Sequence, residues 1–194
     1  MKLLTQAMEI HRESINYFND FYTGEWEGNE NKLILAIITS LKSSELYIRY
    51  LLCSKSNLLL FKNMSDELVS KMISGEYQGT GILKHKITFE EAVTLFDKFY
   101  DCEFGKGGIK CYYVRLSNWL DKLHYNDFNN EINYLKLIRD ILSVYFFMEL
   151  FISYMYDLEL IEENKDLNEI LARYEELNTD FHEKNLGVIL GMGF

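Results

Sequence analysis

Apolar residues recur every three or four positions along most of this chain, the spacing of helices with one buried face. Leu4, Met8, Ile15, Phe18 and Tyr22 mark a first helix over residues 3–22, and "TGEWEGNEN" breaks it with two glycines among polar residues. Leu33, Ile37, Leu41, Ile48 and Leu52 carry a second helix from about Lys32, ending either at Ser54–Ser56 or beyond "SNLLLFKN". Asp66 and Glu67 suit the first turn of a short helix over 65–74, where the dipole favours acids. "ITFEEAVTLF" holds the clearest start. Thr88 and Glu91 have capping-box spacing, Ile87 and Ala92 that of a weak staple, and Phe89, Val93, Phe96 and Tyr100 face inward.

A helix near 110–124 comes next, then one long pattern from about Asn130 to Leu160 whose middle is apolar on all sides. An acidic amphipathic helix over 165–181 leads into the tail "LGVILGMGF", apolar enough to dock on the domain or on a partner. No repeat, low-complexity block or linker divides the chain. The expected fold is all-α: one domain over 1–194, a multi-helix bundle around a long central helix at about 130–160.

Composition sharpens this picture. The 194 residues are 48% hydrophobic and include no proline, which suits helices better than the punctuated turns of sandwiches and barrels. A net charge of -10 argues against nonspecific nucleic-acid binding and for a solubilising surface or a basic partner. Lys84, His85, Lys86, Lys106 and Lys110 are the candidates for a basic patch and read as solvated loop charges. Cys53, Cys102 and Cys111 are odd in number without C-x-x-C spacing, which points to a reducing cytoplasm rather than to a disulfide or zinc framework. "MKLLTQAMEIHRES" turns polar too soon for a signal peptide. The apolar run 141–156 is short for a membrane span and contains Glu149.

Candidate chemistry is sparse. "GKGG" at 105–108 lacks the phosphate-loop spacing and reads as a flexible turn. Asp121 and His124 share a helical face, but no Glu-x-x-His pattern supports a dimetal bundle, and they read as a surface pair. Neither metal nor cofactor is implied. Glu149 in "VYFFMELFISY" needs a partner or a raised pKa, and Arg49 or Arg12 is the expected partner in a structural salt bridge. His11, His85, His124 and His182 are scattered and read as surface or capping residues. The charge pair Arg139–Asp140, at the mouth of the apolar run in "KLIRDILSVYFF", reads as a polar rim.

Three stretches together resemble the HEPN superfamily of helical bacterial domains, many of them endoribonucleases of toxin–antitoxin and antiviral systems. "ELYIRYLL" at 45–52 looks like the E-L-x-x-K-x-L-L pattern of a HEPN core helix, with Arg49 in the lysine position. "LLLFKN" at 58–63 followed by "ITFEEAVTLF" is similar to the L-L-L-F-K and T-I-D-F segments of one subset. "RDILSVY" at 139–145 looks like R-N-x-x-E-H-Y, that subset's form of R-x4–6-H. The resemblance spans about 31–150, leaving the acidic helix and apolar tail at 161–194.

Carried over residue by residue, the resemblance gives Arg139 the phosphate-stabilising role and matches Tyr145 to the final tyrosine. Asp140 replaces the asparagine, where it would compete with phosphate for Arg139. Ser143 replaces the glutamate, and Val144 falls where the histidine belongs. Valine cannot move a proton, so the acid–base step loses its agent. Arg115 and Arg173 stand too far from His124 and His182 to restore the motif. The resemblance implies a catalytically degenerate, non-catalytic interaction or regulatory protein in bacterial defence, toxin–antitoxin or phage conflict. Its partners would be a basic nucleic-acid-handling protein and a second copy in a homodimer, with no nucleic acid or membrane bound directly. The alternatives are a metal-independent endoribonuclease using Arg139, Tyr145 and a distant histidine, and an acidic all-α inhibitor or immunity protein unrelated to HEPN.

Overall fold

The computed structural model describes residues 2–24, 29–56, 59, 70–71, 74, 76, 87–100, 108–124, 133–162 and 165–191, without the side chains of 124 and 186–191. Among these residues the chain is all-α, with six helices and no strand: α1 (Lys2–Thr23), α2 (Glu30–Lys55), α3 (Phe89–Tyr100), α4 (Ile109–His124), α5 (Tyr134–Asp157) and α6 (Lys165–Gly191). Of the expected short helix at 65–74 only Ser70, Lys71 and Ser74 are described, with Ser74 N donating to Ser70 O at 3.0 Å. The loop residues Lys84, His85, Lys86 and Lys106 lie outside the described residues. Lys110 is described and is no solvated loop charge: it sits in α4 and donates to Thr94 Oγ1 at 2.8 Å.

The sequence stripes become one continuous core. Ile15 and Phe18 of α1, Leu33, Ile37, Leu41, Ile48 and Leu52 of α2, and Phe89, Val93 and Phe96 of α3 are all buried. α1 and α2 form an antiparallel hairpin. Lys32 pairs with Asp20 near the turn at 3.3 Å, and Ser14 Oγ donates to Ala36 O at 2.9 Å further along. α5 runs beside α2 in the same direction: Tyr134 meets Glu30, Ser43 meets Met148, and Tyr50 donates to Leu160 O. α6 runs along α1, with Arg12 against Asp166 and Tyr22 against Phe181.

Helix ends follow local chemistry. At α3 the capping box is formed on both sides, Glu91 N donating to Thr88 Oγ1 at 3.2 Å and Thr88 N to Glu91 Oε2 at 2.6 Å. Asn133 caps α5 by accepting from Lys136 N at 3.0 Å. α2 stops at Lys55, because Ser56 is extended and its N–H turns back to Leu52 O. α6 runs to Gly191, ten residues past the expected end at 181, so the helix enters the apolar tail.

α2 holds the least obvious packing. Ser40, Ser43 and Ser44 are fully buried, although "TSLKSSEL" reads as polar. Each hydroxyl donates to the carbonyl three residues back, so it needs no water, and its small side chain lets neighbouring helices approach closely. α2 therefore shares the central place with α5, packing against α1, α3, α4 and α5. The run 141–156 lies inside α5, and no helix among the described residues is long and apolar enough to cross a membrane.

Candidate functional site

α5 presents its motif residues on different faces. Arg139, Leu142, Ser143, Phe146 and Phe147, at the i, i+3, i+4, i+7 and i+8 spacing of one helical face, line a cleft of about 700 Å³. α4 supplies Tyr112 and Arg115 to this cleft, and Gly108 lies at its edge in the turn before α4. α6 closes it with Tyr174, Asn178, Phe181 and His182.

Asp140, one residue on, points elsewhere. It is fully buried, and its Oδ2 accepts from Trp119 Nε1 at 3.3 Å while Oδ1 faces Arg115 Nη1 at 3.6 Å. That last distance is an ion pair without a hydrogen bond, so Oδ1 has no hydrogen-bond partner among the described residues. The expected polar rim is thus corrected. Asp140 does not compete for Arg139; it engages α4, because neighbouring residues on a helix project about 100° apart.

Val144 and Tyr145 also turn inward. Val144 is fully enclosed in the core. Tyr145 lies between α1 and α6, its hydroxyl 2.8 Å from Ser14 Oγ and its ring stacked on His11. His11 in turn meets Tyr47 Oη at 3.2 Å through Nδ1. Burial pushes both phenols above their ordinary range and lowers His11 to about 3. His11 is therefore a neutral core residue, not a surface one. Its ring supports Tyr145 sterically, a role legible only in that α1 carries it between the apolar positions Met8 and Ile15.

Arg49 and Glu149 do not meet. Arg49 pairs with Glu45 four residues earlier at 2.6 Å and donates to Ile87 O at 3.1 Å, tying α2 to the residue before the capping box. Arg12 is held by Asp166. Glu149 is half-buried rather than buried, and its pKa is raised first by lost hydration and then by the charge of Glu175. The expected salt bridge at Glu149 is replaced by a like-charge neighbour.

His182 is the residue that sequence spacing missed. It lies on α6, edge-on to Phe181 at 5.7 Å, and shares the cleft with Arg139 and Arg115 despite standing 43 and 67 positions away. Ser143 lines the cleft too, but its proton is given to Arg139 O at 2.8 Å, so it offers an oxygen and no donor. Asp121 is exposed, and the described residues include no group of three or more His, Cys, Asp or Glu placed to hold a metal ion. No protein-family model matches the chain, and no curated protein or solved structure is significantly similar to it.

Proposed function

We propose that this chain is a non-catalytic, HEPN-like interaction protein of a reducing bacterial cytoplasm, acting in defence, toxin–antitoxin or phage conflict by holding a basic nucleic-acid-handling protein. The observation that carries this reading is the fate of positions 144 and 145. Where the resemblance would place a proton-transfer group, a valine is sealed in the core, and the following tyrosine hydroxyl is taken up by Ser14. A stretch used this way serves packing, and the net charge of -10 supplies attraction for a basic partner.

Affinity capture from the native cell tests this, followed by light scattering on the purified complex. The expected result is one basic nucleic-acid-binding protein in fixed stoichiometry. Failure to retain any such protein, at low as well as physiological salt, overturns the reading.

A second reading is favoured by His182. Because it lines the same cleft as Arg139, a metal-independent endoribonuclease with a histidine supplied by α6 fits the geometry, whereas Tyr145 is too buried to take part. Incubating pure protein with structured and unstructured RNAs decides between the two. Cleavage lost in both Arg139→Ala and His182→Gln establishes the enzyme, and intact RNA leaves the interaction protein.

A further inference from the structure

The chain carries 30 acidic residues against 20 lysines and arginines, yet the cleft between α4, α5 and α6 is lined by Arg115, Arg139 and His182 with no Asp or Glu among its described walls. The lining of the cleft thus carries positive groups on a chain that is net negative, with Asp140 offsetting part of the Arg115 charge from behind at 3.6 Å. Arg12, Arg49 and Arg115 each lie against a carboxylate. Arg139 is half-buried beside Leu142 and Phe146 and makes no ion pair or hydrogen bond with another described side chain. A guanidinium partly withdrawn from water without a counter-charge is unfavourable, and an anion entering the cleft relieves it.

We infer that this cleft binds a small phosphate monoester that carries one flat aromatic ring, joined to the phosphate directly or through a sugar. Three helices each bring one cationic or hydrogen-bonding group, Arg115, Arg139 and His182, and Asn178 adds an amide donor. A carboxylate is satisfied by a single bidentate guanidinium, whereas donors arriving from separate helices suit a tetrahedral dianion with three free oxygens. Ring recognition comes from the apolar wall. Tyr112 and Phe147 have centroids 6.1 Å apart, Phe147 and Phe146 5.9 Å, and Phe146 is 47% exposed at the mouth. Arg115 is already seated over Tyr112 at 5.3 Å, which limits its freedom before any ligand arrives. The volume of about 700 Å³ falls within the range of small-molecule sites.

This inference rests on the cleft's composition and on neither reading of the function above. Its ligand chemistry has two sources, a free nucleoside monophosphate or a phosphorylated tyrosine side chain of a partner. Calorimetric titration of the full chain with phenyl phosphate, inorganic phosphate, phenol, uridine monophosphate and O-phosphotyrosine tests it without partner or RNA. Phenyl phosphate is expected to bind about tenfold or more tighter than inorganic phosphate or phenol, since charge and ring contacts act together. Arg139→Gln should weaken it by about tenfold or more, and Phe146→Ala, at an exposed position that tolerates truncation, by about fivefold. Arg173→Gln, on an exposed arginine lining a separate notch, should leave the affinity unchanged. Tighter binding of uridine monophosphate than of O-phosphotyrosine assigns the free nucleotide, and the reverse order assigns the side chain. Phenyl phosphate binding no tighter than inorganic phosphate, or undiminished in folded Arg139→Gln and Phe146→Ala, overturns the inference.

Discussion

Asp140 Oδ1 lies 3.6 Å from Arg115 Nη1, the carboxylate wholly enclosed and the arginine side chain 45% exposed. This cross-helix pair explains why an acid follows Arg139 at the entrance to an apolar run. Asp140 docks α5 onto α4 and leaves Arg139 free to face the cleft.

Arg115→Ala removes the counter-charge and leaves Asp140 with the Trp119 donor alone. The expected loss is about 1–2 kcal/mol, the cost of an under-satisfied buried acceptor. Asp140→Asn keeps an oxygen for Trp119 and should cost less. Combining the two should cost less than their sum, because the charge that needs Arg115 is gone. Urea unfolding of the four proteins measures this; strict additivity would show that the pair is uncoupled.

Val144→His is the substitution that the motif resemblance invites as a repair. Its side chain would enter a sealed core position, five residues and about 140° around the helix from Arg139. Stability should fall by about 2–4 kcal/mol from overpacking and an unpartnered imidazole. No RNA cleavage should appear. A variant that stays as stable as the parent and gains nuclease activity would contradict this placement.

His11 makes stability depend on pH. Its folded pKa of about 3 lies below the ordinary 6.5, so only the unfolded chain takes the proton in between. The stabilising contribution is complete above 6.5 and is lost at about 1.4 kcal/mol per pH unit as pH falls towards 3. His11→Phe keeps a ring against Tyr145 and removes the titrating group, so its stability should vary less between about pH 7 and pH 5. Equal slopes for parent and variant, read from urea midpoints, would refute the assignment.

Glu149 acts in the opposite sense. Lost hydration and the nearby Glu175 raise its pKa, so the folded protein holds that proton more tightly than the unfolded chain does. The ionised carboxylate therefore weakens the fold at neutral pH, and this penalty disappears as pH falls through the raised pKa. Glu149→Gln should stabilise by a few tenths of a kcal/mol at neutral pH, the scale of a largely solvated charge contact. The gain should vanish near pH 4, and a destabilised variant at neutral pH would count against the repulsion.

The sequence by itself determined the helices and most of the core. Period-three-and-four apolar stripes, the absence of proline, the Thr88–Glu91 box and the Asn130–Leu160 pattern are local signals, and helices are built from local hydrogen bonds. Polar residues buried by non-local packing could not be read this way. Ser40, Ser43 and Ser44 look solvated until their hydroxyls are seen bonded to their own helix, and His11 looks like a surface residue until Tyr47 and Tyr145 enclose it. The same holds for the cleft. Sequence spacing tied Arg139 to Val144, whereas the rotation of α5 turns those two apart and tertiary packing sets His182 and Arg115 beside Arg139. Which charges meet depends on how helices distant in the chain are juxtaposed, and only the folded bundle decides that.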